Sequence, residues 1–147
     1  MDSLDSVEVL LVEDNPLDAE LTIRTLKKRN MLNPIFTVAD GAEAMDFIFC
    51  RGAYADRVCT GHLKLILLDL KLPKVNGFEV LKAVKSDERT RKIPVVILTS
   101  SREDPDIKVA YELGANSYVV KPVNFESLSE CVSNLGLYWL MVNQSTR

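Results

Sequence analysis

Short, nearly unbroken apolar runs alternate along the chain with longer stretches in which apolar residues recur every three or four positions. The runs are Val7 to Val12, Ile35 to Ala39, Leu65 to Leu68, Val95 to Leu98 and Tyr118 to Val120. Runs of that length and composition read as strands buried on both faces, the mark of a parallel sheet covered by helices. Each intervening stretch carries helix signals. Asn15 is placed to cap a helix with Pro16 at its first position, Leu17, Leu21, Ile23 and Leu26 form its apolar face, and Asn30 and Pro34 stop it. Asp40 caps a second helix through Ala42, Ala44, Met45, Phe47 and Ile48, followed by a long connection from Gly52 to Lys64. Pro73 and Gly77 fall in a loop, and Phe78, Val80, Leu81 and Val84 mark a third helix. Pro94 opens the fourth strand. Pro105 suits the first turn of a fourth helix whose apolar residues Ile107, Val109, Ala110 and Leu113 run to Gly114, its stop. Asn124 caps a last helix with Phe125, Leu128, Val132 and Leu135 on one side.

Five strands alternating with five helices predict an α/β fold with right-handed crossovers. The flavodoxin-like doubly wound five-stranded parallel sheet, order 2-1-3-4-5 with helices on both faces, is the expected architecture. Its switch point lies between strands one and three. A length of 147 residues fits one domain over 1–147, with 1–6 a flexible start and 136–147 an apolar C-terminal helix extension. A net charge of -3 with scattered Lys and Arg argues against nucleic acid as a partner. The mixed-charge segment Lys85 to Lys92 reads as a solvated helix end and loop. A polar, acidic start without an apolar stretch argues against a secretory signal, and no apolar run reaches the ~20 residues of a membrane span, so a cytoplasmic protein off the membrane is expected. Three cysteines, Cys50, Cys59 and Cys131, are odd in number and lack a C-x-x-C spacing. Incidental thiols are therefore expected rather than a disulfide framework or zinc site. The lone His62 reads as a solvated loop residue.

The ends of the runs carry the chemistry. Glu13-Asp14, Asp69, Thr99 and Lys121 each follow a strand directly, so the topology brings carboxylates, a hydroxyl and an ammonium to the one rim where open α/β sheets bind ligands. Taken singly, Thr99 is a strand-end threonine and Lys121 a surface lysine; the shared rim reverses both readings. Four motifs stand in order: Leu11-Val12-Glu13-Asp14-Asn15, the run Leu68 to Gly77, Leu98-Thr99-Ser100 and Val120-Lys121-Pro122. Thirty residues separate Asp69 from Thr99 and twenty-two separate Thr99 from Lys121. From Val7 to Leu135 the chain resembles the receiver domains of bacterial response regulators in two-component signalling.

That resemblance implies a phosphoacceptor rather than an enzyme. Asp69 would be the nucleophile and phosphorylation site, receiving a phosphoryl group from a sensor histidine kinase. Clustered carboxylates repel one another without a cation among them, and Mg²⁺ accepts one or two carboxylates plus phosphate oxygens. By the family pattern Asp14 and Asp69 would ligate it, with Glu13 acting directly or through water and the Lys71 carbonyl completing the protein share. Glu13 stands where many members have Asp, and its extra methylene favours water-mediated contact. Lys121 and Thr99 would hold phosphoryl oxygens, and Tyr118 matches the aromatic that swings when the threonine moves. Output would pass to a downstream protein or phosphotransfer partner. The segments Phe49 to Tyr54, Asp69 to Lys74 and Tyr138-Trp139-Leu140 look like the small regulators partnering bacterial phytochrome kinases. The competing class is the Mg-dependent phosphohydrolase with an aspartate nucleophile. That class wants a second Asp two residues on, where this chain has Lys71. Finally, the apolar run Leu137 to Val142 exceeds what one helix face hides. A tail folded onto the core or a docked partner would cover it, but the reading favoured is a homodimer through Tyr138 and Trp139.

Overall fold

The computed structural model describes residues 6–28, 34–57, 63–100, 105–124, 126, 127 and 130. Each predicted strand forms: β1 (Val9–Val12), β2 (Ile35–Val38), β3 (Leu65–Asp69), β4 (Val95–Thr99) and β5 (Ser117–Val120). All neighbours pair in parallel, and the order is β2-β1-β3-β4-β5, as the sequence predicts. Every residue of β1, β3 and β4 is buried, because helices cover both faces.

Strand alternation splits the apolar residues into two layers. Leu10, Val12, Ile66, Leu68, Val95 and Ile97 face one side with Phe47, Leu81 and Ala110. These last three belong to the helices α2 (Gly41–Ile48), α3 (Gly77–Ser86) and α4 (Asp106–Glu112). Val9, Leu11, Leu65, Leu67, Val96, Leu98 and Val119 face the other side with Ala19 and Leu26 of α1 (Pro16–Lys28). Caps fix where these helices start. Asn15 Oδ1 accepts the amides of Leu17 and Asp18, Asp40 Oδ1 accepts that of Glu43, and Asn76 with Glu79 forms a reciprocal capping box. Gly114, at φ +110°, ends α4 as expected. Ser127 donates its amide to Asn124 Oδ1, the predicted cap of the last helix.

Several local expectations differ from the structure. Leu17 and Leu21 are 70% and 50% exposed, because α1 buries the stripe Ala19, Thr22 and Leu26, with Ile23 half-buried beside it. That set has the true 3.6-residue spacing, and Leu17 and Leu21 lie off it. Gly77 is the first residue of α3 rather than a loop residue. Lys85 is no solvated helix end: its ammonium donates to the carbonyls of Arg91 and Ile93 and to Asn116 Oδ1, and burial lowers its pKa. It ties the end of α3 to the approach of β4 and β5. Cys50 is disulfide-bonded, with its partner outside the described residues. An odd cysteine count argues against a bridge network, not against a single bridge. His62 also lies outside the described residues.

After α2 the connection turns back through a short 3-10 helix (Gly52–Tyr54) that sets Tyr54 edge-on to Phe36 and Phe47, with centroids at 5.9 and 5.2 Å. The Tyr54 hydroxyl donates to Glu43 Oε2 at 2.6 Å. Burial and the adjoining Glu43 carboxylate push the phenol up to about 12 from an ordinary value of 10.0. Because the folded value is the higher one, this contact's stabilisation is whole below the unfolded pKa and is lost as pH rises through about 12. An ultraviolet pH titration should therefore show a phenol ionising well above the ordinary value, and Tyr54→Phe should remove that step while lowering Tm by about 2–4 °C at neutral pH. Uniform titration of every tyrosine near the unperturbed value would contradict it.

Candidate functional site

Register builds the rim. Val12 pairs with Leu68, so the residues following β1 stand beside Asp69 at the end of β3. Asp69 pairs with Leu98, and Thr99 pairs with Val120, so Thr99 and Lys121 follow in the next two positions across the sheet. The Lys121 amide also donates to the Thr99 carbonyl at 2.6 Å, which ties the two strand ends together. The Lys121–Pro122 peptide is cis.

The five residues that the strand ends single out do converge. Glu13 and Asp69 are 2% and 7% exposed, whereas Asp14 is exposed. One carboxylate oxygen from each of Glu13, Asp14 and Asp69 lies within 4.8 Å of the other two. Against this concentration of negative charge stands the Lys121 ammonium. It hydrogen-bonds Asp69 Oδ2 at 3.1 Å and faces Glu13 Oε1 at 3.0 Å. The latter approach lacks hydrogen-bond alignment, so Glu13 Oε1 is a buried oxygen held by charge alone, while its Oε2 accepts the Asn15 amide. Burial pushes the Glu13 carboxyl above its ordinary pKa; Lys121 and the Asn15 amide oppose this, and Asp69 adds to it. For Lys121, burial alone would lower the pKa, but the Glu13 and Asp69 carboxylates outweigh it and hold the ammonium above its ordinary value.

A cavity of about 110 Å³ opens above Asp69, lined by Asp69, Lys71, Thr99, Ser100 and Lys121 among others. One carboxylate with an ammonium and a hydroxyl around a small polar hollow is an arrangement suited to a tetrahedral oxyanion. The exposed Lys71 donates its amide to Asp69 Oδ1 at 3.0 Å, fixing the carboxylate plane from the loop side. That loop is pinned in turn. Gly41 at the start of α2 donates to the Pro73 carbonyl, Asp40 pairs with Lys74 at 3.6 Å, and Gly77 donates to the Leu70 carbonyl. A Cβ on Gly77 would stand 2.5 Å from Leu70 Cα and 2.6 Å from the Asp69 carbonyl oxygen, so only glycine lets α3 begin this close to the end of β3.

Tyr118 is half-buried against the core and meets Tyr111 edge-on at 6.3 Å. Tyr138 and Trp139 lie outside the described residues. One member of the rim is not evident from the sequence. Asp18 Oδ2 accepts a hydrogen bond from Lys121 at 3.2 Å, across 103 positions of chain. As an acidic residue in the first turn of α1, three positions past its cap, it reads on sequence as an ordinary complement to the helix dipole.

Comparison with known proteins places this geometry in a lineage. A family model described as response regulator receiver domain matches residues 9–133. The probable methanogenesis regulatory protein FilR2 of Methanothrix harundinacea is 39% identical over 99% of this chain and 91% of its own. The solved structure of the bacteriophytochrome response regulator AtBRR is 47% identical, covers 94% of this chain and 98% of its own, and superposes with a TM-score of 0.84. The Mn²⁺-bound form of the response regulator Rcp1, a protein of Synechocystis, is 36% identical with a TM-score of 0.73 over 91% of this chain and 94% of that one. Matched over nearly its whole described length, and with the rim that its strand ends predict, the chain belongs to the response regulator receiver domain family, the phosphoacceptor proteins of two-component signalling.

Proposed function

We propose that Asp69 is the phosphoacceptor, taking a phosphoryl group from the phosphohistidine of a sensor histidine kinase. The observation that carries this reading is the Asp69 carboxylate in its small cavity, hydrogen-bonded to Lys121 and flanked by Thr99. In the transfer an Asp69 oxygen forms a P–O bond as the P–N bond to histidine breaks, and the imidazole nitrogen keeps the electron pair. The product is an acyl phosphate. Phosphoryl transfer rests mainly on positioning and on neutralising charge over the equatorial oxygens. Lys121 supplies a fixed positive charge there, and the Thr99 hydroxyl donates to a second oxygen. The phosphohydrolase alternative lacks its acid/base, since Lys71 occupies the place of the second Asp.

The carboxylate trio fits a divalent cation. Its oxygens lie close enough to share one ion, and a buried oxygen of Glu13 has no hydrogen-bond donor. Mg²⁺ is the proposed ion, and the existence of a Mn²⁺-bound form of Rcp1 supports a divalent one. Asp14, Asp69 and the Lys71 carbonyl would hold it, with Glu13 directly or through water. The bound ion supplies charge neutralisation for the incoming phosphoryl oxygens.

The added charge is the signal. Phosphorylation brings about −1.5 to −2 charges and three acceptors. Thr99 and the following loop would be drawn toward Asp69, and Tyr118, two strand positions before Val120, would follow it inward. Signalling then passes by protein contact or onward transfer. Likeness to AtBRR supports a phytochrome-type kinase upstream, acting in the cytoplasm. Among the described residues no helix is long and apolar enough to cross a membrane. A homodimer through Tyr138 and Trp139 completes the reading, supported by the apolar run that holds them.

With Mg²⁺ and acetyl phosphate, mass spectrometry should find one phosphoryl group, on Asp69, and Asp69→Asn should lose it; acceptance at the wild-type rate by Asp69→Asn would end the assignment. Mg²⁺ affinity should fall further in Asp14→Ala than in Glu13→Ala. Glu13 Oε2 already accepts the Asn15 amide and its Oε1 faces the Lys121 ammonium, whereas no bond among the described residues claims the exposed Asp14 carboxylate. A Mg²⁺ titration showing Asp14→Ala unchanged would refute that order. In sedimentation, the wild type should dimerise in the micromolar range and the double variant Tyr138→Ala, Trp139→Ala should not. A wild type monomeric at high micromolar concentration, phosphorylated or not, rules the dimer out.

A further inference from the structure

The Lys121 ammonium stands against three carboxylates, Glu13 at 3.0 Å, Asp69 at 3.1 Å and Asp18 at 3.2 Å, and hydrogen-bonds the last two. Two of its three N–H donors are thus claimed by hydrogen bonds before any phosphoryl oxygen arrives. The three claims differ in what happens when a phosphoryl group arrives. The Asp69 claim passes to the newcomer directly, because the phosphoryl oxygens are then carried on Asp69 itself. Glu13 belongs to the carboxylate trio that would hold the proposed cation, and the ion's charge would compete with the ammonium for it. Asp18 is outside that trio, so nothing in the transfer releases its hold.

Its position is also built in. Asn15 Oδ1 accepts the Asp18 amide at 3.1 Å, which sets the residue in the first turn of α1 with its carboxylate over the rim. The carboxylate is well hydrated at 41% side-chain exposure, while its lysine partner is at 19%. A salt link of this kind is weak enough to be broken and strong enough to be felt.

We propose that Asp18 is a positioning residue that competes with the phosphoryl group for Lys121 and so sets, from outside the metal cluster, how tightly the site holds a phosphoryl group. Two effects act in the same sense. Asp18 holds one of the donors that the phosphoryl oxygens need, and its negative charge stands on the same rim as an incoming dianion. Neither effect belongs to a helix-start role, which acts on the stability of α1 alone.

The inference rests on the phosphoacceptor reading, and one experiment separates the two. Beryllofluoride binding, as a phosphoryl mimic, is measured by calorimetry at saturating Mg²⁺ in wild type, Asp18→Asn, Asp18→Ser, Asp18→Glu and Asp69→Asn. Asp18→Asn should bind about 1.5- to fivefold more tightly, the range expected when a part-exposed charge pair of this kind is removed. Asp18→Ser keeps a helix-start residue without the charge and should tighten likewise, covering the case in which Asn folds poorly. Asp18→Glu restores the charge within reach of Lys121 and should return affinity to near the wild-type value. Unchanged affinity in Asp18→Asn and Asp18→Ser would reduce Asp18 to a helix residue, weaker binding would make it an anchor that helps Lys121, and equal tightening by Asp18→Glu would remove the charge argument; each overturns the proposal. Wild-type binding that Asp69→Asn leaves intact, or no wild-type binding at all, overturns the phosphoacceptor reading and the proposal with it.

Discussion

Three carboxylates crowded at the end of a buried sheet, with one ammonium set against them, are the constraint to which the rest of this structure answers. Glu13, Asp14 and Asp69 bring oxygens within 4.8 Å of one another, two of the three residues are buried, and Lys121 offsets only part of their charge. Like charges at that range repel and drive side chains apart unless the backbone fixes them. Buried charge of this kind is a cost that packing elsewhere must offset. In the proposed function it is also what draws a cation and a phosphoryl group to the rim.

The fixing comes from the strands. β1, β3 and β4 are covered on both faces, and their ends cannot retreat without opening two apolar layers at once. The loop after Asp69 would be the weak point, and it is pinned from two directions. Gly77 starts α3 against the Asp69 and Leu70 backbone, and Gly41 and Asp40 at the head of α2 hold Pro73 and Lys74. A carboxylate held in this way presents its oxygens in a set direction, with Lys71 on one and Lys121 on the other.

Lys121 connects Asp69 to the part of the fold that would report on a change there. Its amide is bonded to Thr99, its ammonium reaches Glu13, Asp69 and Asp18, and its strand carries Tyr118 against Tyr111 of α4. A charge change at Asp69 therefore acts on one residue that touches β1, β3, β4 and α1 or the segments next to them. In the proposed switch this is how a local electrostatic event becomes a change of surface.

Much of this is legible in the sequence, because its causes are local. Apolar runs and helix periodicity are read over a few residues, and the βα alternation with right-handed crossovers leaves few topologies. The strand order and the meeting of Glu13, Asp14, Asp69, Thr99 and Lys121 follow from those two facts alone. Caps at Asn15, Asp40 and Asn124 are equally local. What only the tertiary structure decided are the partners of long side chains and the facing of each helix. Asp18 looks like any acidic first-turn residue until Lys121 arrives from 103 positions away. Lys85 looks solvated until Asn116 and two carbonyls enclose its ammonium, and Cys50 looks incidental until folding brings it a second sulfur. Leu17 and Leu21 look buried until the sheet selects the neighbouring stripe of α1. Periodicity states that a face exists; which atoms meet it is set by contacts distant in the chain, and no local pattern encodes them.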